Sequence, residues 1–322
     1  MAMLGQVPAV AGYPVGGSSA ASKYTPVIYA KKLLVKFYLK TVFGEIANRD
    51  YEGEIKDIGD KVWIRTIPDV TVFDYYKGMD LTSKRQTPES NAVELDISHA
   101  KAYSIAIDDI DKLQYDLNML DEWARDGSEH MGIAIDRTIL SDIYASGATY
   151  NQGLAAGRVS GNYNLGATGN PVQLNRGNIL DYIVFCDSTL SEANVPINDR
   201  WMIIPEWAKS LINTSDLRSA LFTGDQSNQN LRNGKIGQIS NFTMYASNNL
   251  IGISDTVNSQ PVTCWPIIFG QKNALTFASQ LVKNRVMELQ NTFGTVMEGL
   301  QVFGYQVAKP DAMGMLYAMK GN

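Results

Sequence analysis

The stretch AVELDISHAKAYSIAI (92–107) passes directly into DDIDKLQYDLNMLDEWARDGSEHMGIAIDRTILSDI (108–143), and the change of period between them decides the fold. Val93, Leu95 and Ile97 alternate with Glu94, Asp96 and Ser98, which is the two-residue period of a half-buried strand. Asp108, Asp109 and Asp111 then place negative charge where a helix dipole favours it. Ile110, Leu113, Leu117 and Leu120 recur at helical spacing. The pattern continues through Trp123, Met131, Ala134, Ile135, Ile139 and Ile143 and breaks at SGAT (146–149). A continuous helix over 110–144 would be about 52 Å long, against a usual helix of about 11–12 residues. Such a rod predicts an elongated molecule, and Gly127 and Gly132 are where it would bend or split.

Upstream, KVWIRTIPDVTVFDYY (61–76) is dense in β-branched and aromatic residues, with Pro68 marking an edge or a bulge. The charged, turn-rich KGMDLTSKRQTPESN (77–91) links it to the alternating stretch. Together they predict a β-hairpin with arms of about fifteen residues, where strands usually have five or six. A compact domain has little use for such a projection, so something outside the subunit is expected to cover it. Before it, Thr25 as N-cap and Pro26 at the first helical position open a helix predicted to run to about Phe43 and stop at Gly44. Lys32, Lys36 and Lys40 lie one turn apart on it. This basic stripe reads either as a solvated face or as an inward-facing surface for DNA or a scaffold. Residues 1–23 are rich in Gly, Ala, Ser and Pro and read as a flexible arm.

Downstream, the Gly- and Asn-rich residues 145–173 form the best candidate boundary. A helix is predicted at about 175–193, then a buried strand WMII (201–204) and a proline-opened helix PEWAKSLIN (205–213). An Asn/Gln-rich loop (223–235) precedes strands at 236–246, and VTCWPIIFG (262–270) reads as a further strand. ALTFASQLVKNRVMEL (274–289) is a mixed stretch, and LQVFGYQVAKPDAMGMLYAM (300–319) reads as two short strands. The expected class is α+β, without internal repeats or heptads.

The composition is that of a folded protein: 45% hydrophobic, 10% aromatic and 19% charged residues in a chain of 322. A formal net charge of −5 argues against a chain whose main task is to grip nucleic acid. Cys186 and Cys264 both sit in apolar runs and read as buried reduced thiols. Residues 1–20 lack the basic start and apolar core of a secretory signal, and no apolar run is long enough to span a bilayer.

The search for chemistry finds no strong constellation. His99, on a strand, and His130, in the long helix, belong to no zinc spacing, and there is no HExxH, GxSxG or CxxC. NGKIGQIS (233–240) carries Ile where a phosphate loop needs Ser or Thr. GLAAGRVSG (153–161) has small residues at helix-contact spacing, but its Asn-rich flanks favour a loop. The acids at 108, 109, 111 and 116 lack the glycine and terminal glutamate of a calcium loop. Asn213 and Asn241 begin sequons that mean nothing without secretion. No catalytic residue, metal or cofactor is predicted.

The order of elements resembles the major capsid proteins of tailed bacteriophages, with the Hong Kong 97-type fold, and within them the coat proteins of short-tailed phages. GDKVWIRTIPDVTVFDYYKGMD (59–80) followed by ELDISHAKAYSIAIDDIDKLQYD (94–116) resembles their extended loop running into the spine helix. RWMIIPEWAKSL (200–211), GKIGQISNFTMYASNNL (234–250) and IIFGQKNALTFASQ (267–280) resemble pieces of the axial lobe. EGLQVFGYQVAKPDAMGMLYA (298–318) resembles the closing peripheral-domain strands. The resemblance covers about residues 25–320.

It implies an arm (1–24), an N-terminal helix region (25–53), an extended hairpin loop (54–108), a peripheral domain with the spine helix (109–172 and 277–322) and an axial domain (173–276). It further implies self-assembly through pentamers and hexamers into an icosahedral shell that encloses double-stranded DNA without sequence-specific binding. Scaffolding protein and portal are the implied assembly partners, with a decoration or cement protein as a further one. Assembly would occur in the host bacterial cytoplasm and the product would be the virion. No axial-lobe insertion fits in this length, and no crosslinking lysine–asparagine pair is matched. Near the hairpin tip, Lys77, Lys84, Arg85 and Glu89 are expected to contact neighbours. The competing classes are a cellular nanocompartment (encapsulin-like) shell, a phage tail or spike binding module, and an enzyme of unknown type.

Overall fold

The computed structural model describes residues 41–50, 61–65, 70–87, 92–109, 119–215, 235–289 and 291–321. The fold is mixed α+β, with sheets of two, three and seven strands and one long helix.

The seven-stranded sheet holds the main core. Its order is β4 (Val172–Leu174), β12 (Met313–Lys320), β9 (Gln260–Gln271), β5 (Arg200–Ile204), β7 (Phe242–Ala246), β6 (Lys235–Ile239), with β8 (Ile253–Val257) beside β9. Cys264 pairs with both Ile253 and Met319, and Ile268 with both Ile203 and Met315. β8 and β5 therefore follow one another along one edge of β9, while β12 takes the other. Every residue of β5 is buried, which is what the unbroken apolar run WMII requires of a central strand. Helices α3 (Ile179–Glu192) and α4 (Glu206–Thr214) bury Ile179, Ile183, Cys186 and Leu190, and Ala208 and Ile212, in the same core. Pro205 stands at the N-cap of α4 with φ −69°, so the expected proline-opened helix is present.

The three-stranded sheet is β10 (Leu275–Glu288), β11 (Gly294–Val307) and β3 (His99–Asp108), all antiparallel. The long helix α2 (Met119–Ile143) lies against it, where Tyr305 Oη donates to Asp142 Oδ2 at 3.0 Å. The helix passes unbroken through Gly127 and Gly132, neither of which splits it. A Cβ on Gly127 would come within 2.9 Å of the Tyr103 ring, and one on Gly299 within 2.2 Å. The Tyr103 ring thus fits between two glycines, one on the helix and one on the neighbouring strand. Gly127 sets a close approach of the helix to the Tyr103 ring.

Two sequence expectations are corrected here. The hairpin arms are not fifteen residues long: β1 (Lys61–Arg65) pairs with β2 (Ala92–Asp96) over five residues each. Beyond Asp96 the chain leaves this ladder, and β3 pairs instead with β11, from Phe303↔His99 to Gly294↔Asp108. Alternation reports that a segment lies on a sheet, not which strand lies beside it. The mixed stretch 274–289 is one strand, β10, and the first of the two short closing strands is the fourteen-residue β11. These strands are long because each pairs with the other over nearly its whole length, broken by a single irregularity between Ser279 and Leu281.

At the N-terminal side, Val42 is not helical (φ −122°, ψ −18°), and a separate four-residue helix, α1 (Phe43–Ile46), includes Gly44. The rest of the predicted helix, with Lys32, Lys36 and Lys40, lies outside the described residues, as do the arm, the segment 110–118 and the loop at 223–234.

Two buried carboxylates tie the elements together. Asp136 of α2 accepts from Val42 N (3.1 Å) and Phe43 N (2.9 Å) through Oδ1, and from Asn249 Nδ2 (2.7 Å) through Oδ2. Burial pushes its carboxyl above the usual range, against the pull of these hydrogen bonds. Asp187 of α3 accepts from Arg200 Nη1 at 2.5 Å and, through Oδ2, from Ser240 Oγ (2.8 Å) and Asn241 Nδ2 (2.7 Å). The Arg200 guanidinium is buried and also reaches Ser191 Oγ and the carbonyls of Asp187, Val195 and Pro196. Each of its three nitrogens donates to at least one acceptor, which is how a charge survives in a core.

Candidate interaction surfaces

A catalytic site needs convergent reactive groups, and the described residues do not assemble one. Among them no cluster of three or more His, Cys, Asp or Glu could hold a metal ion. Cys186 and Cys264 are buried free thiols, and burial raises the Cys186 pKa well above its ordinary value, so the thiolate nucleophile is suppressed. His99 stacks on Phe303 and Tyr305, with ring centroids 5.6 and 5.1 Å away, which is a packing role. GLAAGRVSG is a loop, as its flanks predict. Glu192 Oε2 accepts from Val159 N and Ser160 N, and Gly157 and Gly161 take positive φ. No described helix is long and apolar enough to cross a membrane.

The notable surfaces are apolar. Residues 70–87 form no strand, and their side chains stand in solvent: Val72 is 91% exposed, Tyr76 69%, Val70 65% and Tyr75 64%. Large apolar groups this exposed on one segment mark a surface meant to be covered. The segment is nevertheless shaped. Thr71 N donates to Gln86 Oε1 (2.9 Å) and Gln86 Nε2 donates to Thr71 O (2.7 Å), closing the loop at its base. At the tip, Met79 N donates to Tyr76 O across a turn in which Gly78 takes φ +83°, a value that favours glycine. Asp80 Oδ1 accepts from Thr82 N, starting a short helical turn over Thr82–Lys84.

Of the sequence-predicted contact residues, Lys77, Lys84 and Arg85 lie on this loop and are exposed, while Glu89 falls outside the described residues. The structure brings the first three onto one projection. It adds Val72, Tyr75 and Tyr76, which sequence reasoning assigned to a hairpin arm; their aromatic and β-branched character was the available signal. At the turn between β10 and β11, Phe293 is 87% exposed, with Val286 and Met287 also exposed. Nothing in the local pattern singled it out.

The hairpin base is anchored. Ile64, Leu95 and Ile97 pack with Ala278 and Val302, forming a second small core on the three-stranded sheet. A Cβ on Gly304 would lie 2.3 Å from Asp96 O, so this glycine lets the hairpin backbone cross the sheet closely. The loop therefore projects from a fixed base.

Comparison with solved structures gives consistent matches along the chain. A structure from Mycobacterium phage Che8 shares 24% identity, covers 91% of this chain and 96% of its own, and has a TM-score of 0.70. The capsid structure of cyanophage P-SCSP1u shares 14% identity over 95% of this chain and 96% of its own, with a TM-score of 0.68. The capsid asymmetric unit of cyanophage Pam1 shares 11% identity over 95% and 99%, with a TM-score of 0.69. No family model and no curated protein matches the chain. The chain has the fold seen in these phage capsids.

Proposed function

We propose that this chain is the major capsid protein of a tailed bacteriophage, which assembles with copies of itself into the icosahedral shell around double-stranded DNA. The observation that carries the reading is the end-to-end match: 95% of this chain and 99% of the Pam1 capsid chain superpose as one fold. The matched capsid chains are covered almost completely, so the likeness is not confined to a shared module.

Within this reading, the long helix α2 is the spine. The three-stranded sheet with α2 belongs to the peripheral domain, and the seven-stranded sheet to the axial domain. That sheet includes β12 (Met313–Lys320), so in this reading the closing strand 313–320 lies with the axial domain, where the sequence resemblance put all of 277–322 in the peripheral domain. The extended loop, expected to begin at about 54, returns at Asp96 in this reading, earlier than the boundary at 108 that the resemblance implies. The protein is structural, not enzymatic. Its mechanism is physical: head-to-tail contacts closed into pentameric and hexameric rings, each weak and many times repeated, hold the shell together. The inner wall encloses DNA without gripping it, in keeping with a net charge of −5. Scaffolding protein, portal and a decoration protein are the partners the reading calls for, with assembly in the host bacterial cytoplasm.

Electron microscopy and size-exclusion chromatography of the purified full chain test it. Megadalton shells are expected; a stable 35.5 kDa monomer or a small oligomer at every concentration and salt would refute it. Copurification of a cargo enzyme in place of DNA would reassign the shell to a cellular nanocompartment. Deleting residues 77–91 should leave a folded subunit that fails to close shells, and normal particles from that deletion would defeat the role given to Lys77, Lys84, Arg85 and Glu89.

A further inference from the structure

His99 sits where the projecting hairpin joins the body of the molecule, and the join grips β11 from two sides. At Gly304 a Cβ would lie 2.3 Å from Asp96 O and 3.0 Å from Ile97 Cα, so the hairpin backbone presses on that face of the strand. Side chains alternate along a strand, so Phe303 and Tyr305, on either side of Gly304, point to the opposite face. Two residues after Ile97 the chain has entered the sheet as β3, and the His99 ring lies on those two side chains. It is nearly parallel to both: 13° and 5.1 Å between centroids for Tyr305, 27° and 5.6 Å for Phe303. Residues 303–305 are thus clasped between the hairpin backbone and the imidazole. The stack continues from Phe303 to Phe277, over which the Arg49 guanidinium lies 5.7 Å from the centroid. At the other end Tyr305 Oη donates to Asp142 Oδ2 at 3.0 Å. The row of rings runs from a cation to a carboxylate, with the histidine near the carboxylate.

We propose that His99 is a proton-sensitive positioning residue: its protonation tightens this clasp, and with it the base of the exposed loop at residues 70–87. The inference goes beyond the capsid reading, because the clasp lies within one chain. Histidine is the side chain that ordinarily gains or loses its charge near neutral pH. A neutral ring stacked face to face on other rings gains little beyond contact, whereas an imidazolium is attracted by the ring faces. Both centroid distances lie within the roughly 6 Å over which that attraction acts. Asp142, held at the Tyr305 hydroxyl, adds a second attraction. Two cations oppose it among the described residues. Arg49 is two rings away, beyond Phe277 and Phe303, and Lys101, next on the same face of β3, carries its ammonium on a flexible stem that can turn to water. The other charges of the packed elements look elsewhere. Asp136 of α2 is turned to Val42, Phe43 and Asn249, Arg137 lines a groove with Asn248, Glu45 lies toward Tyr245, and Asp96 is across β11. His99 is partly exposed, which keeps the cost of burying the added charge small.

Hydrogen exchange of the full chain tests this, read by mass spectrometry at about pH 5.5 and about pH 8 and corrected for the intrinsic rates. Amides 97–101 should open about threefold to tenfold less at the lower pH. The only other histidine, His130, lies 3.5 Å from Asp126 on α2 and serves as the control: His130→Gln should keep the step. His99→Phe keeps the stack without the charge and should lose the step; Asp136 is unchanged in it, so any pH effect of that carboxyl is subtracted. His99→Ala should open 97–101 at both pH values. Flat protection in the wild type, or a step as large in His99→Phe as in the wild type, overturns the proposal. Should His99→Phe not fold, Asp142→Asn decides. Asparagine still accepts from Tyr305 but carries no charge, so the step should shrink by about twofold or more, and an undiminished step refutes the role given to His99. Exchange within one chain needs no particle, so its failure leaves the capsid reading standing, and failure to form shells leaves the clasp standing.

Discussion

Replacing Asp136 by alanine should release the N-terminal segment from the long helix, and the cost can be worked from the hydrogen bonds lost. The substitution removes the acceptor for Val42 N, Phe43 N and Asn249 Nδ2 at once. A buried group left without its partner costs about 1–3 kcal/mol. Val42 and Asn249 are buried, while Phe43 N is partly buried and can recruit water. Against this stands the relief of desolvating a carboxylate that no described cation neutralises, the effect that raises its pKa. The expected net loss is about 2–4 kcal/mol. Asparagine separates geometry from charge. Its Oδ1 can accept from both backbone N–H groups, and Asn249 can turn its amide to present oxygen, so Asp136→Asn should cost about 1 kcal/mol or less.

The pH dependence follows from the raised pKa. The folded state holds the proton more tightly than the unfolded chain, so this stabilising term is fully present below the ordinary carboxylate range and is lost as pH rises through the folded value. Acidification across that window should therefore favour the wild type relative to Asp136→Asn. Urea unfolding of the full chain at several pH values, read by tryptophan fluorescence, measures all three proteins. Limited proteolysis near residue 41 reports release of the segment. An alanine variant within about 0.5 kcal/mol of wild type, or an asparagine variant as damaged as alanine, would refute the reasoning.

Arg200→Met should cost about 3–5 kcal/mol in thermal or urea unfolding, because it strands the Asp187 carboxylate in the core. Adding Asp187→Leu should recover much of that loss, since the buried charge is then gone. Gly299→Ala forces the Tyr103 ring out from between β11 and α2, for an expected cost of about 1–3 kcal/mol; in a double-mutant cycle with Tyr103→Ala the two effects should be strongly non-additive. Gln86→Ala opens the base of the loop without touching the core, so unfolding should shift by less than about 0.5 kcal/mol while proteolysis between residues 72 and 85 and the lag before assembly both increase.

What the sequence determined by itself was the set of segments that must be buried and the period at which each repeats. WMII had to be a central strand because no residue in it tolerates water, and the proline before EWAKSLIN had to open a helix because its φ is fixed and its missing N–H is not needed there. The helical spacing of Ile135, Ile139 and Ile143 placed them on one face, and all three are buried. These are local consequences of side-chain shape and backbone sterics. Tertiary structure alone decided the partners. Alternation in 92–107 is equally compatible with one fifteen-residue arm and with two strands in different sheets, and only the arrival of β11 from the other end of the chain selects the second. Glycines 127 and 299 are separated by more than half of the chain, and their joint meaning exists only once Tyr103 stands between them. The exposed loop follows the same logic: exposure is a difference between what a chain can cover and what it leaves open, and that is settled only when every strand has found its neighbour.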